Sequence, residues 1–179
     1  MVEIELVVAT APSVPILRLC AMPSSTLSFY FGFLFLITAM LTQFKVRLPF
    51  NMSSVPKGSP WRPAIYAFME DACAIEARGG LKYRHQIMAR YEQSPLFRRM
   101  LLRLSYMWGT GLIIISIVTT ALVMVLKPVE AFGVGWGVPW AMHIILGFCT
   151  FLLCHHDLTL ERRLWREDKV VGSAVPSDV

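Results

Sequence analysis

The sequence predicts an all-α membrane protein with three transmembrane helices and an amphipathic helical cytoplasmic loop between the first and second. Three observations carry that expectation. Charge-free runs lie between Arg18 and Lys45, between Arg103 and Lys127, and between Glu130 and Asp157. Each exceeds the roughly 20 residues needed to cross a hydrocarbon core of about 30 Å. The composition agrees, since 55% of the 179 residues are hydrophobic and 16% charged, with a mean hydropathy of +0.55. Soluble domains use about 45–50% apolar and about 25% charged residues.

The third observation is where the positive charge falls. Lys45, Arg47, Lys57, Arg62, Arg78, Lys82, Arg84, Arg90, Arg98, Arg99 and Arg103 lie between the first two runs, and Arg162, Arg163, Arg166 and Lys169 follow the third. Arg18 precedes the first run and Lys127 joins the second to the third. Cationic segments stay cytoplasmic during insertion, so the loop and C-terminus are expected inside and the N-terminus outside. This pattern turns the net charge of +5 into a topology signal and argues against nucleic acid as a partner.

Residues 1–23 read as an external irregular tail, because Pro12, Pro15 and Pro23 interrupt them. Residues 24–44 form the first span. It reads as a signal anchor, since the positive charges follow the apolar run and no small-residue cleavage site stands out. Residues 45–104 form the basic cytoplasmic loop. A helix beginning at Pro60 or Pro63 should end at Gly79-Gly80, because proline suits a first helical turn and glycine closes a helix. "LKYRHQIMARYEQ" predicts a second loop helix. Ser94 and Pro95 are the N-cap and first position of a third, which continues without a breaker to Leu126. The second span covers 105–126, an external link 127–134, the third span 135–156, and a cytoplasmic tail 157–179, ending in a disordered "GSAVPSDV".

Small residues share one helical face in each of two spans: Ser28, Gly32, Ala39 and Thr42, and Ser105, Gly109, Ser116 and Thr120. Such faces let helix backbones approach closely in lipid, within a bundle or in a homodimer. Cys149 and Cys154 lie in the third span, Cys73 in the loop and Cys20 outside, so no disulfide framework is expected. Asn51-Met52-Ser53 matches a glycosylation acceptor that this topology places in the cytoplasm.

Three groups of residues carry candidate chemistry. In the first loop helix, Trp61, Ile65, Phe68, Met69, Ala72 and Ile75 form an apolar face, while the neighbours Glu70 and Asp71 point about 100° apart. That angle disfavours a shared proton or metal, and Asp71 is expected to pair with Arg78. Glu76 points into the apolar face, so it needs a partner such as Lys82, Arg84 or His85. It reads either as an ion pair tying the loop helices together or as a catalytic candidate with His85. His143 is the ionisable residue well inside an apolar span, a functional-site hypothesis by default. Haem held by two histidines would need a second one at similar depth, which the other spans lack, unless a homodimer brings two copies together. Cys154, His155, His156 and Asp157 are all ligand types, but neighbours on a helix diverge and no second cluster completes a zinc site. "GVGWGVPW" lacks the strand that a dinucleotide-binding loop requires, and Trp136 and Trp140 suit an interfacial aromatic belt. No cofactor is assigned.

The stretches "WRPAIYAFMEDACAIEARGG", "RYEQSPLFRRML", "YMWG" and "GVGWGVPW" resemble, in the same order, a group of uncharacterised fungal integral membrane proteins. The resemblance covers roughly residues 58 to 140 and implies a shared fold in a eukaryotic membrane, with no activity to carry over. Where that pattern has an Asp followed by glycines, this chain has Glu76-Ala77-Arg78-Gly79-Gly80. It also implies a setting beside secondary-metabolite pathways. The functional expectation is an accessory or scaffolding component of the lipid bilayer that presents its basic loop, with Arg98, Arg99 and Arg103 at the headgroups, to a cytoplasmic protein partner or anionic lipid. The alternative is a membrane-bound enzyme acting on an apolar substrate through Glu76, with His85 or His143.

Overall fold

Helix length sets the architecture. The computed structural model describes residues 2–11, 16–51, 56–75 and 80–174. Its elements are α1 (Val2–Thr10), α2 (Leu17–Cys20), α3 (Pro23–Gln43), α4 (Ala64–Ile75), α5 (Gly80–Gln93), α6 (Pro95–Val125) and α7 (Pro128–Ala174). Among the described residues, extended pairing is limited to an isolated bridge between Arg47 and Pro60. Three helices, α3, α6 and the Pro128–Leu164 part of α7, are long and apolar enough to cross a membrane.

At 1.5 Å per residue, the 21 residues of α3 reach about 31 Å and the 31 of α6 about 46 Å. The second and third long helices therefore overhang the first at its C-terminal end. Beside that overhang the chain packs α4 and α5 as a polar cap. The cap's core joins Tyr66, Ile87 and Tyr91 to Phe97, Met100, Leu101 and Leu104 of α6, with Leu153, Cys154 and Leu158 of α7 packed against it.

Local chemistry fixes each junction. Lys45 takes a left-handed φ of 53°, and the N–H groups of Lys45 and Val46 donate to Thr42 O and Leu41 O, the paired bonds that close a helix C-terminus. The chain then folds back on itself, with Leu48 N bonded to Ser59 O and Trp61 N to Val46 O. Ala64 N donates to Thr38 Oγ1, which seats the start of α4 against α3. Ser94 Oγ accepts from Phe97 N and caps α6.

The small-residue faces meet within the bundle. Ser28, Gly32 and Ala39 are buried in α3, and Ser105, Gly109 and Ser116 in α6. A Cβ on Gly32 would lie 3.0 Å from Gly109 O and 3.1 Å from Ile113 N. Such backbone proximity is what glycine permits in lipid. Ser116 Oγ adds a hydrogen bond to Ser25 O at 2.8 Å.

At the opposite end the structure is more regular than the sequence reading expects. The segment read as an irregular tail holds α1 and α2. Glu3 and Glu5 stand in the first turn of α1, where negative charge complements the helix dipole, and Pro23 opens α3. The link expected over 127–134 shrinks to Leu126 and Lys127, because Pro128 starts α7 and proline suits a first helical position. The glycines of "GVGWGVPW" stay helical, as a backbone at membrane depth must satisfy its own polar groups. The expected tail after 157 instead continues α7 to Ala174, with neither glycine nor proline between Gly147 and Gly172 to stop it.

Candidate functional site

Two regions concentrate polar or open features, the cap and a cleft beside it. In the cap, Tyr66 and Glu70 stand one turn apart on α4, and Arg62, just before the helix, bonds to Tyr66. All three are buried. Arg62 Nη1 donates to Tyr66 Oη at 2.8 Å, and its Nη2 lies 3.4 Å from Glu92 Oε1. Its guanidinium carbon also sits 4.9 and 5.0 Å from the ring centres of Tyr66 and Tyr91, a cation–π clamp. Burial pushes the Tyr91 phenol above its usual 10.0, with Arg62 and Arg98 pulling the other way.

Glu70 is the residue whose burial and partner the sequence reading did not foresee. Its side chain is fully buried, and Arg84 reaches from α5 to hold it. Arg84 Nη1 donates to Glu70 Oε1 at 3.2 Å and Nη2 to Asp71 Oδ1 at 2.8 Å. The adjacent carboxylates do diverge on the helix, and one planar guanidinium spans the gap with two of its donors. Asp71 thus pairs with Arg84, whereas Arg78 lies outside the described residues. The apolar stripe of α4 is covered only in part: Ile65 and Met69 pack against the cap core, while Phe68 and Ala72 stay more open. Phe68 packs on Phe31 and Phe35 of α3 with ring centres 5.9 and 5.7 Å apart, and remains half exposed. The polar side turns inward, as ionisable groups near lipid do. The tyrosine one turn before Glu70 and the arginine just ahead of the helix were the signal for this.

Further ion pairs bolt the cap to the long helices. Arg90 Nη2 donates to Glu161 Oε2 at 2.5 Å, and Ser94 Oγ to Glu161 Oε1 at 2.6 Å. Arg103 Nη1 lies 3.2 Å from Asp157 Oδ1. Arg98 donates to the carbonyls of Tyr91 and Glu92 at the end of α5, where a cation suits the helix dipole.

The cleft exists because α3 and α7 both pack along α6 but barely touch one another. It encloses about 610 Å³. Phe31 and Phe35 form one wall, Trp136, Trp140 and His143 the other, and Trp108 and Leu112 of α6 the floor. Ile65 and Phe68 of α4 close the cap end, and Val2 of α1 lines it too.

The predicted site residues fall into separate places. His143 lines the cleft, its ring centre 6.3 Å from that of Trp108. His85 is exposed on α5, Arg99 is exposed on α6, and Arg98 and Arg103 serve the contacts just described. Glu76 lies outside the described residues. His155 stacks on Phe151, His156 Nδ1 lies 3.1 Å from Asp157 Oδ1, and among the described residues no three metal-ligating side chains gather.

A family described as a domain of unknown function, DUF8766, matches residues 1–165. The chain belongs to that family. No curated protein and no solved structure matches it. The DUF8766 match takes in α1 through α6 and α7 as far as 165, so cap and cleft lie together within the family's unit.

Proposed function

We propose that the protein is an accessory membrane component, with three spans and an external N-terminus, that presents a preformed basic cap to the anionic cytoplasmic leaflet. The observation that carries this reading is how the cap divides its cations. Arg62, Arg84, Arg90, Arg98 and Arg103 are spent on contacts within the protein. Lys45, Arg47, Lys57, Lys82, Arg99, Arg162 and Arg163 remain exposed at the same end. Cationic segments favour the cytoplasmic side, and each exposed charge near an anionic surface contributes about 1 kcal/mol. A fungal membrane, with a role beside secondary metabolism, rests on the motif resemblance.

The test is the lipid shell of the purified protein in mixed bilayers of phosphatidylserine and phosphatidylcholine. The wild type should enrich phosphatidylserine, and Arg99→Gln with Arg162→Gln and Arg163→Gln should remove most of that enrichment without loss of folded protein. Equal lipid shells would contradict the reading.

An enzymatic role keeps one supporting observation, the imidazole of His143 beside an apolar cleft. Its requirement is an apolar substrate.

A further inference from the structure

The cleft is large, apolar and open, and its polar groups can be followed one at a time. Trp108 Nε1 donates to Thr150 Oγ1 at 2.8 Å, and Trp136 Nε1 to Cys20 O at 3.1 Å. Ser28 Oγ donates to Ser24 O at 2.8 Å. Those donors are therefore spent on the protein, whereas Ser24 Oγ and Trp140 Nε1, which also line the cleft, make no hydrogen bond to a described residue. His143 differs. Its Nδ1 lies 2.5 Å from Pro139 O, a carbonyl that can only accept, so the proton of the neutral imidazole sits on Nδ1. Nε2 is left as a lone-pair acceptor, and no described residue donates to it.

An acceptor left unmet in apolar surroundings is costly, which favours a ligand that brings a donor. A ligand for this wall therefore needs one hydroxyl and otherwise a hydrocarbon body. The volume of about 610 Å³ falls within the roughly 300–1,000 Å³ of small-molecule sites. It exceeds a single side chain or water by far. Aromatic faces on both walls, Phe31 and Phe35 against Trp136 and Trp140, suit a flat apolar body.

We propose that the cleft binds a sterol-sized apolar alcohol whose hydroxyl donates to His143 Nε2. Entry is lateral, from the hydrocarbon between α3 and α7. The site is independent of the cap's lipid contacts, and no charge on the ligand is required. An ordinary phospholipid chain would meet the aromatic walls but leave Nε2 without a donor.

The experiment uses the full chain in phosphatidylcholine nanodiscs with dehydroergosterol as probe, read as energy transfer from tryptophan. Trp108, Trp136 and Trp140 line the cleft, so bound probe should quench them saturably. The 3-O-methyl ether of the same sterol, which lacks the donor, should bind about tenfold more weakly, the loss expected for one hydrogen bond. His143→Phe should abolish the preference for the alcohol over the ether while keeping the protein folded. Non-saturable transfer, equal binding of alcohol and ether to the wild type, or an unchanged preference in His143→Phe would each overturn the proposal. The alcohol-to-ether comparison on wild-type protein stands even if the variant fails to fold.

Discussion

The cap and the cleft solve opposite problems with the same neighbours. The cap is rich in charge and turns much of it inward, so that Glu70 is fully buried against Arg84 and Arg62 is clamped by two tyrosines. The cleft, one helix face away, is almost wholly apolar and stays open around a single imidazole. Phe68 of α4 closes the cap end of the cleft, while Tyr66 and Glu70 of the same helix are buried in the cap. The difference teaches that near a membrane an apolar stripe need not mark the buried side of a helix. Where hydrocarbon is the surroundings, ionisable groups go to the interior, and their pairing rather than their exposure decides stability.

If that contrast is right, the largest effect should come from Arg84→Met. It leaves the Glu70 carboxylate buried without its cation, and breaking a buried pair costs roughly 3–5 kcal/mol. Thermal unfolding in nanodiscs should show the loss, and adding Glu70→Gln should restore part of it. A variant as stable as wild type would show that Glu70 is held by something else.

The bundle around the cleft should respond to shape instead of charge. Gly32→Ala places a methyl 2.9 Å from Ile113 Cγ1 and 3.0 Å from Gly109 O, and overpacking of this kind costs about 1–3 kcal/mol. Gly147→Ala meets nothing within 4 Å and should be neutral or slightly stabilising, because alanine is the better helix former. Parallel unfolding curves of the two variants check the ranking, and similar curves would contradict the close α3–α6 approach.

Among the cap's ion pairs, the smallest loss is expected at Arg103→Gln. Its ion pair with Asp157 is exposed on the arginine side, and such pairs contribute at most about 1 kcal/mol, screened by salt. A loss as large as that of Arg84→Met would erase the distinction between inner and outer pairs of the cap.

Much of the fold was legible because its signals are long and simple. Three uncharged runs mark the three long helices, Ser94 before Pro95 marks the start of α6, and glycines and serines mark the α3–α6 seam. The candidate site was legible in part. His143 could be picked out as an ionisable residue in an apolar run, but nothing local says that α3 and α7 diverge around it. Glu70 was hidden because helical spacing pairs it with no acid or base of its own helix, and Arg84 reaches it from α5, 14 residues on in the sequence. The helix in the N-terminal segment was obscured by prolines that lie outside α1 or, as Pro23, at the start of α3. Glu76 lies outside the described residues, and the question it raised now attaches to Glu70.

The central claim is that the basic loop is a folded cap locked by inward-facing ion pairs. Hydrogen exchange of the intact protein in nanodiscs tests it most directly. Amides of α4 and α5 should exchange as slowly as those in the overhanging first turns of α6, and Arg84→Met should release them while α3 stays protected. Exchange of α4 and α5 in the wild type at the rate of an unstructured loop would contradict the account.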